Sequence, residues 1–327
     1  MKFNPLSKNG EYYIENILAR QKRWSGQKPR DKKYAQARKT DDVHYLESYE
    51  LNLFQPLCPN SHEAFSQGDG GELKDKTAKN GRYIPAKMKS LLSSSALAVN
   101  IFEYWHQRLS KGEDVEPLLQ ALKSLGYDLK EIKSIHFEKQ FPIIDTKDAS
   151  LRDDFPKDPN IDIVIEGLDF VLAIESKFTE PYGSHVFSIR DAYISKDNDV
   201  RSSFELSFPQ LYAFATGAGL AFKRLDWPQL TKHFLGLENS CEDIYKKKYQ
   251  LALFWYKEPK APRTQSDKPQ KMDDEIGEFS NIAEIKDKFS ATTYQDFFEA
   301  LKTTCCGLSE HDEYITYLRD RYFPQNN

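Results

Sequence analysis

The stretch IDIVIEGLDFVLAIESKF, residues 161 to 178, decides the fold. Side chains alternate across a strand, so Ile161, Ile163 and Ile165 share one face and Asp162, Val164 and Glu166 the other. Further on, Phe170, Leu172 and Ile174 alternate with Val171, Ala173, Glu175 and Lys177. A two-residue turn at Leu168-Asp169 joins these runs as a hairpin that pairs Ile163 with Ile174 and Ile165 with Leu172, so both apolar sets meet one core. The same register sets Asp162 opposite Glu175.

Carboxylates facing each other across neighbouring strands repel, and a divalent cation between them reverses the sign. Oxygen ligands suit a hard ion, Mg²⁺ or Mn²⁺. Lys177 shares the face of Glu175 two residues along, where its ammonium can orient a water or steady charge on a phosphate. The expected chemistry is metal-assisted phosphodiester hydrolysis. Glu-x-Lys alone carries little, since Glu72-Leu-Lys74, Glu131-Ile-Lys133, Glu258-Pro-Lys260 and Glu284-Ile-Lys286 share the spacing. Only the Glu175 copy ends an apolar strand with an acid brought opposite. The plainer reading is a solvated cluster in which Lys177 neutralises its neighbours.

Other groups are candidates for the same site. Glu138, in IHFEKQFPI (Ile135 to Ile143), becomes a third carboxylate if its strand lies beside Asp162, and is a surface residue otherwise. Glu72 and Glu103 are further acids. In DWPQLTKHFLG, Gln229 and His233 stand four residues apart on one helix face with Lys232 beside them, placed to face the site or a phosphate. An exposed amphipathic helix is the competing reading. Asp226 is the expected N-cap of that helix, Pro228 fits its first turn, and Gly236 is its expected stop. The histidines show no metal-binding cluster, and GDGG lacks the strand and helix of a phosphate loop.

The chain has 327 residues, a formal charge of −4, and 13% aromatic residues, so a sizeable core is available. No apolar run reaches membrane-spanning length, and MKFNPLSKNGEYY lacks the core of a signal peptide. Four cysteines without a CxxC pair suggest neither a disulfide framework nor a zinc ribbon. The expectation is a soluble, cytoplasmic protein, not membrane-bound. The mild average conceals Arg20, Lys22, Arg23, Lys28, Arg30, Lys32, Lys33, Arg38 and Lys39, nine basic residues against Asp31. With Trp24 and Tyr34 interleaved, this segment suits a phosphate backbone with base stacking, or else is a solvated arm.

Residues 1–85 read as a basic, partly irregular segment, and 86–327 as the main domain. Helices are expected over 86–109, with Asn100 a buried amide held by hydrogen bonds, and over VEPLLQALKSLG, stopped by Gly126. A fourth strand is expected over Tyr249 to Tyr256, a mobile excursion over 257–275, and helices near the C-terminus.

Taken together, Pro159-Asn160-Ile161-Asp162 followed a hairpin later by Glu175-Ser176-Lys177 resembles the PD-(D/E)XK nuclease superfamily. SSSALAVNIFEYW, IDIVIE, AIESKFTEPY, QLTKHFLGL and TYQDFFEAL resemble, more narrowly, a family of restriction endonuclease-like proteins, over about Gly70 to Phe323. The resemblance implies an α/β fold, a central mixed β-sheet flanked by helices, with helical or irregular N- and C-terminal additions. It implies a restriction or defence endonuclease acting on double-stranded DNA. Asp162, Glu175 and the Ser176 carbonyl would hold Mg²⁺ or Mn²⁺, with Lys177 the catalytic lysine. Glu103 is the position offered for the first-helix glutamate of many such nucleases. Here Asn160 and Ile161 intervene between the proline and the first acid. A homodimer would cut both strands. The alternative is a catalytically inactive nucleic-acid-binding protein that keeps the fold.

Overall fold

The computed structural model describes residues 11–27, 44–67, 71–81, 83–143, 155, 158–183, 185–195, 198–259 and 267–324. Its helices are α1 (Glu11–Gln27), α2 (Pro59–Gln67), α3 (Ser94–Ser110), α4 (Glu116–Ser124), α5 (Asp191–Ile194), α6 (Asp199–Ser207), α7 (Pro209–Thr216), α8 (Trp227–Leu237), α9 (Lys268–Ser280), α10 (Tyr294–Thr304) and α11 (Asp312–Arg321). The strands are β1 (Lys76–Thr77), β2 (Tyr83–Ile84), β3 (Ser134–Gln140), β4 (Asn160–Glu166), β5 (Phe170–Lys177), β6 (Lys248–Trp255) and β7 (Phe289–Thr293).

The hairpin β4–β5 has the register that the alternation predicts. Ile163 pairs with Ile174 and Ile165 with Leu172, and the Gly167 N–H donates to the Phe170 carbonyl at 2.8 Å to close the two-residue turn. The hairpin is the middle of a five-stranded sheet in the order β3-β4-β5-β6-β7. β3, β4 and β5 run antiparallel, while β5–β6 and β6–β7 are parallel. Parallel neighbours need long crossovers; α5 to α8 make the first and α9 the second. The sheet is therefore mixed and covered on both faces, an α/β architecture of the restriction endonuclease-like kind.

Burial on both faces explains why β4 and β5 are apolar nearly throughout. Ile163, Ile165, Leu172 and Ile174 enter one core with α1, α2, α3, α4, α10 and α11. Val164, Val171 and Ala173 enter the other with α5 to α9. Ile161, expected with Ile163 and Ile165, instead joins the second core. It lies just past the point where β3 is interrupted at Glu138.

Several elements differ from the sequence expectation. The helix expected over 86–109 begins only at Ser94, where the Ser93 hydroxyl accepts from the Ala96 N–H, after a short 3₁₀ turn at Lys87–Lys89. Gly236 does not stop its helix, because α8 runs on into a π-helical turn, Glu238–Tyr245. Its small size serves packing instead: a Cβ there would lie 2.5 Å from the Phe141 carbonyl oxygen. The excursion expected over 257–275 is in part α9, anchored by buried Met272 and Phe279. β7, not anticipated, is the fifth strand. Asn100 is the buried amide expected: it donates to the Asn52 carbonyl and Tyr322 Oη and accepts from the Phe54 N–H and Tyr317 Oη. No helix among the described residues is long and apolar enough to cross a membrane.

The basic N-terminal segment is partly a core element. α1 buries Tyr13, Ile17 and Trp24 with α11 and the sheet. Trp24 offers no face for base stacking, since the Arg321 guanidinium lies 4.0 Å from its ring centroid and Tyr317 meets it edge-on. Arg20 is likewise structural: it donates to Glu258 Oε1 at 2.7 Å and to Tyr256 Oη at 3.1 Å. Lys22 is half-buried and Arg23 exposed; Lys28, Arg30, Lys32, Lys33, Tyr34, Arg38 and Lys39 lie outside the described residues. Glu258 is 3% exposed, so Arg20→Met would strand a buried carboxylate, at a cost of about 3 kcal/mol. Denaturant unfolding should show that loss for Arg20→Met and almost none for Arg23→Ala.

Candidate active site

The site grows from a fault in the sheet. β3 pairs with β4 at Phe137–Ile163 and again at Lys139–Ile161, and the pair skipped between them is Glu138 with Asp162. Glu138 has a left-handed backbone, φ 51°, sparsely populated for a residue with a side chain and common where a group must be re-aimed. On the other side the β4–β5 ladder stops at Ile163–Ile174. There the Ser176 N–H donates to Asp162 Oδ2 at 2.7 Å. Continuing both registers sets Glu138, Asp162 and Glu175 in one row across three strands. The row lies at the C-terminal end of β5, where ligands bind in open α/β sheets.

Helix α8 closes the row from one side. Asp226 caps it, accepting from the Gln229 N–H at 3.2 Å, which orients the next two turns toward β5. Lys177 Nζ lies 2.8 Å from Glu175 Oε1 and donates to Gln229 Oε1, also at 2.8 Å. His233 Nε2 donates to Glu175 Oε2 at 2.9 Å. Both ends of the Glu175 carboxylate are thereby fixed, and Glu175 and His233 are fully buried. Of the i, i+4 pair on α8, His233 reaches the acid Glu175 and Gln229 reaches Lys177. On the other flank Asn160 Nδ2 donates to Glu138 Oε2 at 2.8 Å.

The electrostatics separate the three acids. Burial, then repulsion from Glu175 and Glu138, pushes Asp162 well above the usual carboxylate range. Burial raises Glu138 to about 7, with Glu72 and Glu175 adding repulsion and the Asn160 hydrogen bond opposing. Burial works the same way on Glu175, but Lys177 and His233 outweigh it and hold that carboxylate at about 2. Burial would lower Lys177; Glu175, Glu180 and Asp162 outweigh it, so its pKa is raised and it stays an ammonium. The row therefore holds one firm carboxylate and two that resist ionising together.

Glu138, Asp162, Glu175, Lys177 and Gln229 line a cleft of about 1240 Å³. Glu72, at its edge, pairs with Lys87 at 2.8 Å. Arg190 and Lys232 line it too; Arg190 was not foreseen from sequence. Burial lowers the Lys232 pKa, with Asp226 and Glu175 opposing that and the charges of Arg190 and Lys177 adding to it. Glu103 is not part of the cleft. It accepts from the Cys58 N–H and the Ser61 hydroxyl, both at 2.6 Å, at the start of α2.

One family model, described as Restriction Endonuclease associating with ARP, matches residues 18–323. No curated protein and no solved structure matches the chain. The matched span begins inside α1 and ends just past α11, so it takes in the N-terminal helix as well as the sheet.

Proposed function

The chain belongs to the family of restriction endonucleases associating with ARP, and from the acid row beside Lys177 we propose that it is a divalent-cation-dependent nuclease hydrolysing double-stranded DNA through a PD-(D/E)XK-type site. The observation that carries the reading is the row itself. Burial first, and then repulsion among three carboxyls on adjacent strands, lifts two of them, which fits a hard cation with oxygen ligands. Asp162 and Glu175 would hold Mg²⁺ or Mn²⁺, with the Ser176 carbonyl completing the set. When bound, that ion supplies positive charge to the phosphate and makes water more acidic.

The chain's own groups do the rest. Lys177 is held as an ammonium between Glu175 and Gln229, so it donates to phosphate oxygen as charge builds there and does not act as a base. Glu138, titrating near neutrality, takes the proton of the water whose oxygen attacks phosphorus, and the ester oxygen leaves with the electron pair of its broken P–O bond and takes a proton from solvent. His233 keeps Glu175 oriented from below. Arg190 and Lys232 receive neighbouring phosphates, which relieves the mutual repulsion of the cations.

Two experiments test this. Titration with Mn²⁺ should show uptake by the wild type with release of protons, because Asp162 must ionise to bind and the ion's charge favours ionisation of Glu138 beside it; affinity should therefore rise from pH 6 to pH 8. No uptake would leave only the nucleic-acid-binding alternative. For DNA binding measured with EDTA present, Lys232→Met and Arg190→Gln should each weaken binding to all sequences and reduce the salt slope by about 1. A slope unchanged in both variants would remove these residues from the interface.

A further inference from the structure

A second set of ligand-type side chains lies away from the cleft. The turn entering α2 brings Cys58 against α3, where Glu103 and His106 stand one helical turn apart. One atom of each lies within 4.8 Å of the other two. Cys58 Sγ is 3.7 Å from His106 Nδ1, and that nitrogen is 3.3 Å from Glu103 Oε2. A tetrahedral zinc ion with bonds of ~2.3 Å to sulfur and ~2.0 Å to nitrogen and oxygen would set those separations at about 3.5 Å and about 3.3 Å. Ser61 Oγ faces the same point, 3.3 Å from Cys58 Sγ, 3.0 Å from His106 Nδ1 and 2.6 Å from Glu103 Oε2.

The donor types point the same way. Glu103 is 1% exposed, and a buried carboxylate, a thiol and an imidazole at these separations form a mixed oxygen, sulfur and nitrogen set of the kind zinc takes.

We propose that Cys58, Glu103 and His106 bind one Zn²⁺, with Ser61 Oγ or a water as the fourth ligand. The ion would clasp α2 to α3. Phe65 of α2 and His106 of α3 both meet Phe137, with ring centroids 5.5 Å and 6.1 Å away, and Phe137 is the neighbour of Glu138. The clasp thus steadies the strand next to its left-handed residue. It is independent of the nuclease reading.

The full chain, stripped with chelator and dialysed, is titrated with Co²⁺ and then Zn²⁺. One site should give a thiolate-to-cobalt charge-transfer band in the near ultraviolet, displaced by Zn²⁺, absent in Cys58→Ser and intact in Asp162→Asn. Without any substitution, Zn²⁺ should also slow alkylation of Cys58 by about tenfold or more, while exposed Cys306 reacts at an unchanged rate. No band in the wild type, a band retained in Cys58→Ser, or Cys58 alkylation indifferent to Zn²⁺ would overturn the proposal and leave a hydrogen-bonded helix cap.

Discussion

Lys177→Met is expected to reduce DNA cleavage by about 10²–10³-fold and to leave the fold in place. The methionine keeps most of the volume of a side chain that is 14% exposed, so packing between β5 and α8 survives. What goes is the ammonium between Glu175 Oε1 and Gln229 Oε1. Glu175 retains His233 as its partner, so Mn²⁺ uptake persists while turnover falls. Single-turnover cleavage and Mn²⁺ titration on the same sample separate the two effects. Loss of both in equal measure would mean that Lys177 only props up Glu175. Gln229→Leu should give a milder form of the same defect, because it frees the lysine without removing it.

Glu138→Gln is expected to make the protein more stable at pH 8 and less active. The sign follows from a carboxyl raised from its usual 4.5 to about 7 in the folded state. The folded chain then binds more protons than the unfolded chain between those values, so stability falls as pH rises through that window. Ionising Glu138 in the fold at pH 8 costs on the order of 2–3 kcal/mol. Glutamine can keep the Asn160 contact and carries no charge, so the variant's advantage should be present at pH 8 and gone by pH 4. Asp162→Asn should act in the same direction, since burial, Glu175 and Glu138 all oppose its charge. Melting temperatures across pH 4 to 8 without divalent cation check this, and a Glu138→Gln protein less stable than wild type at pH 8 would contradict it. Sites that hold like charges together sacrifice stability for function.

How far the sequence reached depended on whether a feature was local. The β4–β5 hairpin was legible because strict alternation on both sides of Leu168-Asp169 allows one register that buries both apolar sets. That register alone brought Asp162, Glu175 and Lys177 together. Glu138 was a conditional candidate, because its place depends on how β3 docks across a long connection and on a backbone turned to φ 51° at that one residue. Neither leaves a mark in periodicity. Arg190 comes from the loop before α5 and is brought to the cleft by packing.

Other departures of the structure from the sequence pattern have physical causes as well. Gly236 looked like a helix stop because glycine most often serves there, yet the close approach of Phe141 explains it better. α9 was hidden by a charge-rich sequence whose buried apolar anchors, Met272 and Phe279, are seven positions apart. β7 is short, FSATT, and carries little apolar alternation. By composition Trp24 and Arg20 suit a nucleic-acid surface, but an amphipathic α1 turns them inward onto Arg321 and Glu258. Cys58, Glu103 and His106 are separated by 45 residues or more on one side of the set, so only the fold shows that they meet.

The most direct test of the account is plasmid cleavage by wild-type protein and Asp162→Asn in parallel, across Mg²⁺, Mn²⁺ and EDTA. The wild type should cut with either cation and stop in EDTA, while Asp162→Asn, folded and at least as stable at pH 8, should not cut under any of the three. Cleavage that is equal in both proteins, or no cation-dependent cleavage by the wild type, would contradict it.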